Sequence, residues 1–112
     1  MTGALVVFDL LIPRTDDRTG LLHPPALFDA WTLETAERFG GVTQLAADIV
    51  GLWFDGGGLV EDHSHWYRVA VKQRRAKELR HHVIETARRF GQRCLYLQNS
   101  GKAELVWTEA HE

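Results

Sequence analysis

The stretch EDHSHW at 61–66 sets two carboxylates, Glu61 and Asp62, beside two imidazoles, His63 and His65, within five residues. Carboxylate oxygens and neutral imidazole nitrogens are common protein ligands for transition metals. In an extended strand His63 and His65 share a face, about 7 Å apart. Asp62, His63 and His65 therefore form a candidate three-ligand site for a divalent transition metal such as zinc, nickel, copper or iron. The plainer alternative makes Asp62 the close of a hairpin loop and leaves the histidines as partly exposed strand residues.

Trp66 and Arg68 continue the same segment at alternate positions, on the face opposite Tyr67. An aromatic ring next to a guanidinium can stack a planar ligand, or anchor a subunit interface, where Trp and Arg are enriched. The remaining polar candidates are weaker. His81 and His82 are adjacent on a helical stretch, about 100° apart, and cannot face each other. His23 precedes two prolines in a loop, and His111 lies near the terminus. The run Gly56–Gly58 joins strand to strand, whereas a phosphate cradle needs a helix N-terminus after the glycines. Ser64 and Ser100 have no nucleophile elbow around them, and Cys94 sits in an apolar strand, where a thiol is inert.

The elements that must position these residues read in a clear order. LVVFDLLI at 5–12 is a strand dense in apolar and β-branched residues. A loop rich in proline, glycine and charge follows. Pro24 and Pro25 open a helix that runs to about Phe39, with Gly40 at its end. Residues 42–55 form a strand with a bend or bulge expected near Gly51. DGGG at 55–58 turns the chain, and 64–71 returns as a strand. The second helix, about 74–90, carries Ala76, Leu79, Val83, Ala87 and Phe90 in one apolar stripe. RCLYLQ (93–98) and KAELVW (102–107) are strands joined by the turn NSG. RFG occurs at the end of each helix, 38–40 and 89–91, where Phe packs down and Gly lets the chain reverse. The expected fold is α+β: a single ferredoxin-like domain over 1–112, β-α-β-β-α-β with an extra C-terminal strand and both helices on one face of an antiparallel sheet. The other sheet face is left open; on the first strand Val6, Phe8, Leu10 and Ile12 oppose Leu5, Val7, Asp9 and Leu11, and neither set is polar enough for an ordinary solvated surface. A homodimer through that open face is expected.

Composition narrows the class. The chain has 112 residues and a net charge of −2, which suits one domain with one core. Acidic groups dominate residues 1–63, ten against three basic, whereas 72–93 holds eight Lys or Arg against two Glu. The plain account of that basic stretch is a solvated helix face. The acidic first half, and the absence of an aromatic RNA-recognition signature, argue against nucleic acid. No apolar run approaches the roughly 20 residues of a membrane span. The opening residues read as a strand rather than a leader, and a single cysteine suits a reducing cytoplasm.

Phe39, Gly41, Thr43, Gly51, Trp53, Gly58, Asp62, Phe90, Gly91 and Gln92 follow a pattern of short motifs spanning about 36–98. In these the chain resembles the DUF3574-like group of small bacterial proteins. The resemblance implies a ferredoxin-like fold and no particular activity. A shorter one, confined to LVVFDL with Asp9 at the end of the first strand, is to Cas2-type ferredoxin-like dimers; everything after that strand departs from them. The leading expectation is a small cytoplasmic binding module for a ligand or partner, with Asp9, Trp66 and Arg68 as ligand-binding residues. One alternative is a small dimeric α+β-barrel enzyme. Its planar substrate would lie in a cleft between sheet and helices, with His63 or His65 as acid/base and Arg68 as anion partner. The other is a metal-binding accessory protein using Glu61–His65.

Overall fold

A computed structural model of the chain describes residues 5–99 and 102–109. Ser100 and His111, named above, lie outside them, as does part of the expected turn at 99–101. The elements are β1 (Leu5–Pro13), α1 (Pro25–Phe39), β2 (Thr43–Asp55), β3 (Gly58–Lys72), a 3-10 turn (Gln73–Arg75), α2 (Ala76–Arg89), β4 (Cys94–Asn99) and β5 (Lys102–Trp107). All strand pairs are antiparallel, in the order β2-β3-β1-β4-β5.

This order corrects the ferredoxin-like β-α-β-β-α-β expectation. The molecule is one five-stranded antiparallel sheet, not a four-stranded unit with a strand appended. β5 pairs with β4 at six positions and sends Val106 into the core, so it is a full member of the sheet. Strand also extends further than the sequence suggested. Residues 58–63, which the glycine run and the Glu61–Asp62 pair make look like loop, continue β3 as a regular ladder against β2. The two strands therefore project as a ribbon beyond the end of β1, whose last partner on β3 is Ser64. At the tip, Gly56 and Gly57 take φ values of 63° and 134°, the positive pair that a two-residue hairpin turn requires. The irregularity expected near Gly51 lies earlier: the β2 register shifts between Gln44 and Ala46 and again between Ala46 and Ile49. Two shifts of one residue restore the alternation, so Ile49, Gly51 and Trp53 share a face with Ser64, Asp62 and Val60.

Both helices pack on the sheet face formed by Phe8, Leu10, Ile12, Tyr67, Val69, Val71, Leu95, Leu97 and Val106. α2 contributes Leu79, Val83 and Ala87 at spacings of four, one turn apart. α1 has a scattered apolar pattern and is held by polar contacts as well. Trp31 donates its indole N–H to Thr86 at 2.8 Å, and His82 meets Thr35 at 2.9 Å. The Arg38 guanidinium lies 3.3 Å from His82 Nδ1, which leaves the ring proton on Nε2 for the Thr35 hydroxyl. Each RFG motif closes its helix: Phe39 and Phe90 are buried, and Gly40 and Gly91 adopt left-handed φ values of 96° and 63°. The following Gln92 is buried too, and its amide donates to Thr15 O and Phe90 O. No helix among the described residues is long and apolar enough to cross a membrane.

Candidate functional site

Strand alternation sends one set of side chains into the helix layer and the other onto the uncovered sheet face. On that face Asp9 of β1 lies opposite Arg68 of β3 and accepts two hydrogen bonds from its guanidinium, at 2.7 and 2.9 Å. That pairing, helped by a hydrogen bond from Trp66, holds the Asp9 carboxyl below its usual pKa against the opposing effect of burial. The three predicted ligand residues Asp9, Trp66 and Arg68 are thus brought together, but they satisfy one another and lie outside the cavity described next.

Further along the same face is an open cavity of about 980 Å³, where the β2–β3 ribbon, β4 and the loop after β1 converge. Leu11 and Ser64 lie on its sheet side, Trp53 and Asp62 come from the ribbon, and Tyr96 and Trp107 from β4 and β5. Gly51 shapes the ribbon wall. A Cβ there would sit 3.0 Å from Trp53 Nε1, so the absence of a side chain is what lets the indole lie across the strand. At the rim Arg93 donates to Asp17 at 2.8 Å and to Asp55 at 3.3 Å, joining the loop after β1 to the ribbon tip. Burial raises the Asp62 pKa; neighbouring Asp17 adds to the rise and His63 opposes it. Burial likewise raises the Cys94 thiol, so this cysteine on the cavity wall is not activated as a thiolate.

The metal trio does not converge. Asp62 projects into the cavity, whereas His63 and His65, at the opposite parity, point to the helix side. His63 is held between Glu61, 2.9 Å from Nε2, and Asp48, 2.8 Å from Nδ1. These two bonds, Glu61's first, raise its pKa and favour the imidazolium, which has no lone pair for a metal. His65 stacks on Phe28 at 4.0 Å between ring centroids, and its Nδ1 is 3.0 Å from the Tyr67 hydroxyl. Among the described residues no group of three or more His, Cys, Asp or Glu is arranged to hold a metal. The enzyme alternative meets a similar obstacle. The space between sheet and helices is filled by the core, and Arg68 lies on the other side of the sheet from His65.

Sequence reading named Asp62, but for a different chemistry, and missed Trp53, Tyr96 and Arg93 as partners of one site. Alternation supplied the signal for Tyr96 once Leu95 and Leu97 are taken as core. The meeting of ribbon and β4 is non-local and leaves no trace in either segment.

No family model matches the chain, and no curated protein matches it. Two solved structures share its fold. One is a phage SAM lyase in complex with S-methyl-5'-thioadenosine, with a TM-score of 0.64 and 15% sequence identity, covering 100% of this chain and 96% of that one. The other is a phage SAM lyase in its apo state, with a TM-score of 0.55 and 14% identity, covering 98% and 93%. At such identities the likeness concerns the fold.

Proposed function

We propose that this protein binds a small adenine-nucleoside ligand, of the S-adenosylmethionine or thioether-nucleoside type, in the cavity on the open sheet face. The observation that carries this reading is the cavity itself: aromatic side chains, among them Trp53, Tyr96 and Trp107, and a partly desolvated carboxylate, in a fold shared end to end with a phage SAM lyase in complex with S-methyl-5'-thioadenosine. Its volume is at the upper end of the roughly 300–1,000 Å³ usual for ligand sites, and its mixed lining suits a molecule with a flat base and a polar tail. Adenine stacks on indole or phenol faces, and a carboxylate accepts hydrogen bonds from a ribose diol or faces a cationic sulfur. In this reading Asp62 takes the second role, and Trp53 and Tyr96 the first.

Isothermal titration with S-adenosylmethionine and with S-methyl-5'-thioadenosine tests the reading. Binding of either, weakened about tenfold or more by Asp62→Asn and by Tyr96→Ala, is the expected result. No binding of either compound, or binding indifferent to both substitutions, would sink it. Chromatography of the incubated S-adenosylmethionine then shows whether binding leads to turnover.

A further inference from the structure

β2 forms one edge of the sheet, and its second half is unusual for an edge. From Ile49 to Asp55 its ladder with β3 holds a constant register, with no bulge, no proline and no lysine. Edges are normally blunted by such features, because unpaired N–H and C=O groups template a further strand. The first half is blunted, by two register shifts and Asp48. The opposite edge, β5, is only six residues long and carries the exposed Glu104. The exposed half of β2 also belongs to the ribbon that no helix covers. Val50, Leu52, Trp53, Phe54, Leu59 and Val60 are 54, 61, 43, 88, 61 and 40% exposed.

We infer that a second copy of this chain pairs with this edge, β2 against β2, antiparallel about a two-fold axis at Leu52. The segment is self-complementary in that register. Leu52 faces Leu52 of the second copy, Gly51 faces Trp53, Val50 faces Phe54, and Ile49 faces Asp55; no like charges meet. Leu52, Val50 and Phe54 form one continuous apolar strip on one side, as cross-strand pairing favours. On the other side each Gly51 carries the indole of its own chain's Trp53, so no side chain of Gly51 itself stands between the facing backbones. A specific interface buries about 1,000 Å² in total or more, and Val50, Leu52, Phe54 and Leu59 on the side of the ribbon away from the cavity, doubled by symmetry, offer apolar surface of that order. The self-association expected from the sequence is thereby assigned to the sheet edge, which leaves the open face free for its cavity.

The two-fold axis makes the test specific. Light scattering after size exclusion is run on the wild type, on Leu52→Lys, on Leu52→Glu and on an equimolar mixture of the two variants, with circular dichroism confirming that each is folded. The wild type is expected at the mass of two 12.7 kDa chains, each variant at the mass of one, and the mixture at two again, because only the mixture sets opposite charges across the axis. As a second reading, Leu52→Cys in a Cys94→Ser background forms an interchain disulfide on oxidation, since directly opposed strand residues lie about 4.5–5.5 Å apart. A single-chain wild type overturns the inference and leaves the edge to an extended peptide of another protein. A two-chain Leu52→Lys overturns it in favour of contact through the open sheet face. A mixture that stays at one chain, or a Leu52→Cys protein without the disulfide, rejects the two-fold register.

Discussion

His82 gives the molecule a pH dependence whose sign and slope follow from its surroundings. It is buried between the helices, bonded to Thr35 through Nε2, with the Arg38 guanidinium at Nδ1. Burial, and then the charge of Arg38, lower its pKa below the ordinary 6.5. The folded protein therefore keeps this imidazole neutral where the unfolded chain protonates it. As the unfolded state binds the extra proton, stability is full above 6.5 and falls as pH drops toward the lowered folded value. Within that window one such group costs up to about 1.4 kcal/mol for each pH unit, a sizeable part of a typical stability of 5–15 kcal/mol. The assay is urea unfolding between about pH 7.5 and about pH 5, the range in which histidines titrate, on the wild type and on His82→Gln. The glutamine amide can still donate to Thr35 but does not titrate. His63 and His65 are present in both proteins, so the difference between the two stability curves isolates His82. Expected are curves that diverge on acidification, the wild type falling more steeply. Parallel curves would refute the assignment of a neutral, desolvated His82.

Gly91→Ala strains a left-handed backbone and pushes into the Asp16 carboxylate, which caps its own turn by accepting the N–H groups of Arg18 and Thr19. The left-handed backbone alone costs about 1–2 kcal/mol, so thermal unfolding should show a drop in Tm of several degrees. Adding Asp16→Ala removes the clash, and the double variant should melt above the sum of the single losses. Trp31→Phe removes the indole bond to Thr86 and some buried ring area, for about 1–3 kcal/mol in urea unfolding. Because Trp31 lies on the helix side of the sheet, nucleoside affinity measured by titration should not change.

The parts of the fold legible in the sequence are those set by local periodicity. Leu79, Val83 and Ala87 recur at the helical repeat and mark the buried side of α2, and Leu95 and Leu97 alternate as a half-buried strand does. Residues 56–63 misled for a physical reason: three glycines and, after Leu59 and Val60, the Glu61–Asp62 pair have loop composition, yet ladder pairing with β2 holds 58–63 in strand geometry. Asp62 and His63 show the same limit at the site. Their proximity in sequence suggested shared ligation, but alternation points them to opposite sides of the sheet. Asp62 joins Trp53 and Tyr96 only through register and sheet curvature, which the neighbouring residues do not encode.

The place of β1 in the sheet bears on how the chain comes off the ribosome. It precedes the other four strands in sequence, yet it occupies the middle of the sheet, with Leu5 opposite Lys72 and Phe8 opposite Asn99. Until β4 has emerged from the exit tunnel, one edge of β1 has no strand to pair with. Long-range pairing of this kind slows folding. The β2–β3 hairpin, whose partners adjoin in sequence, has no such wait.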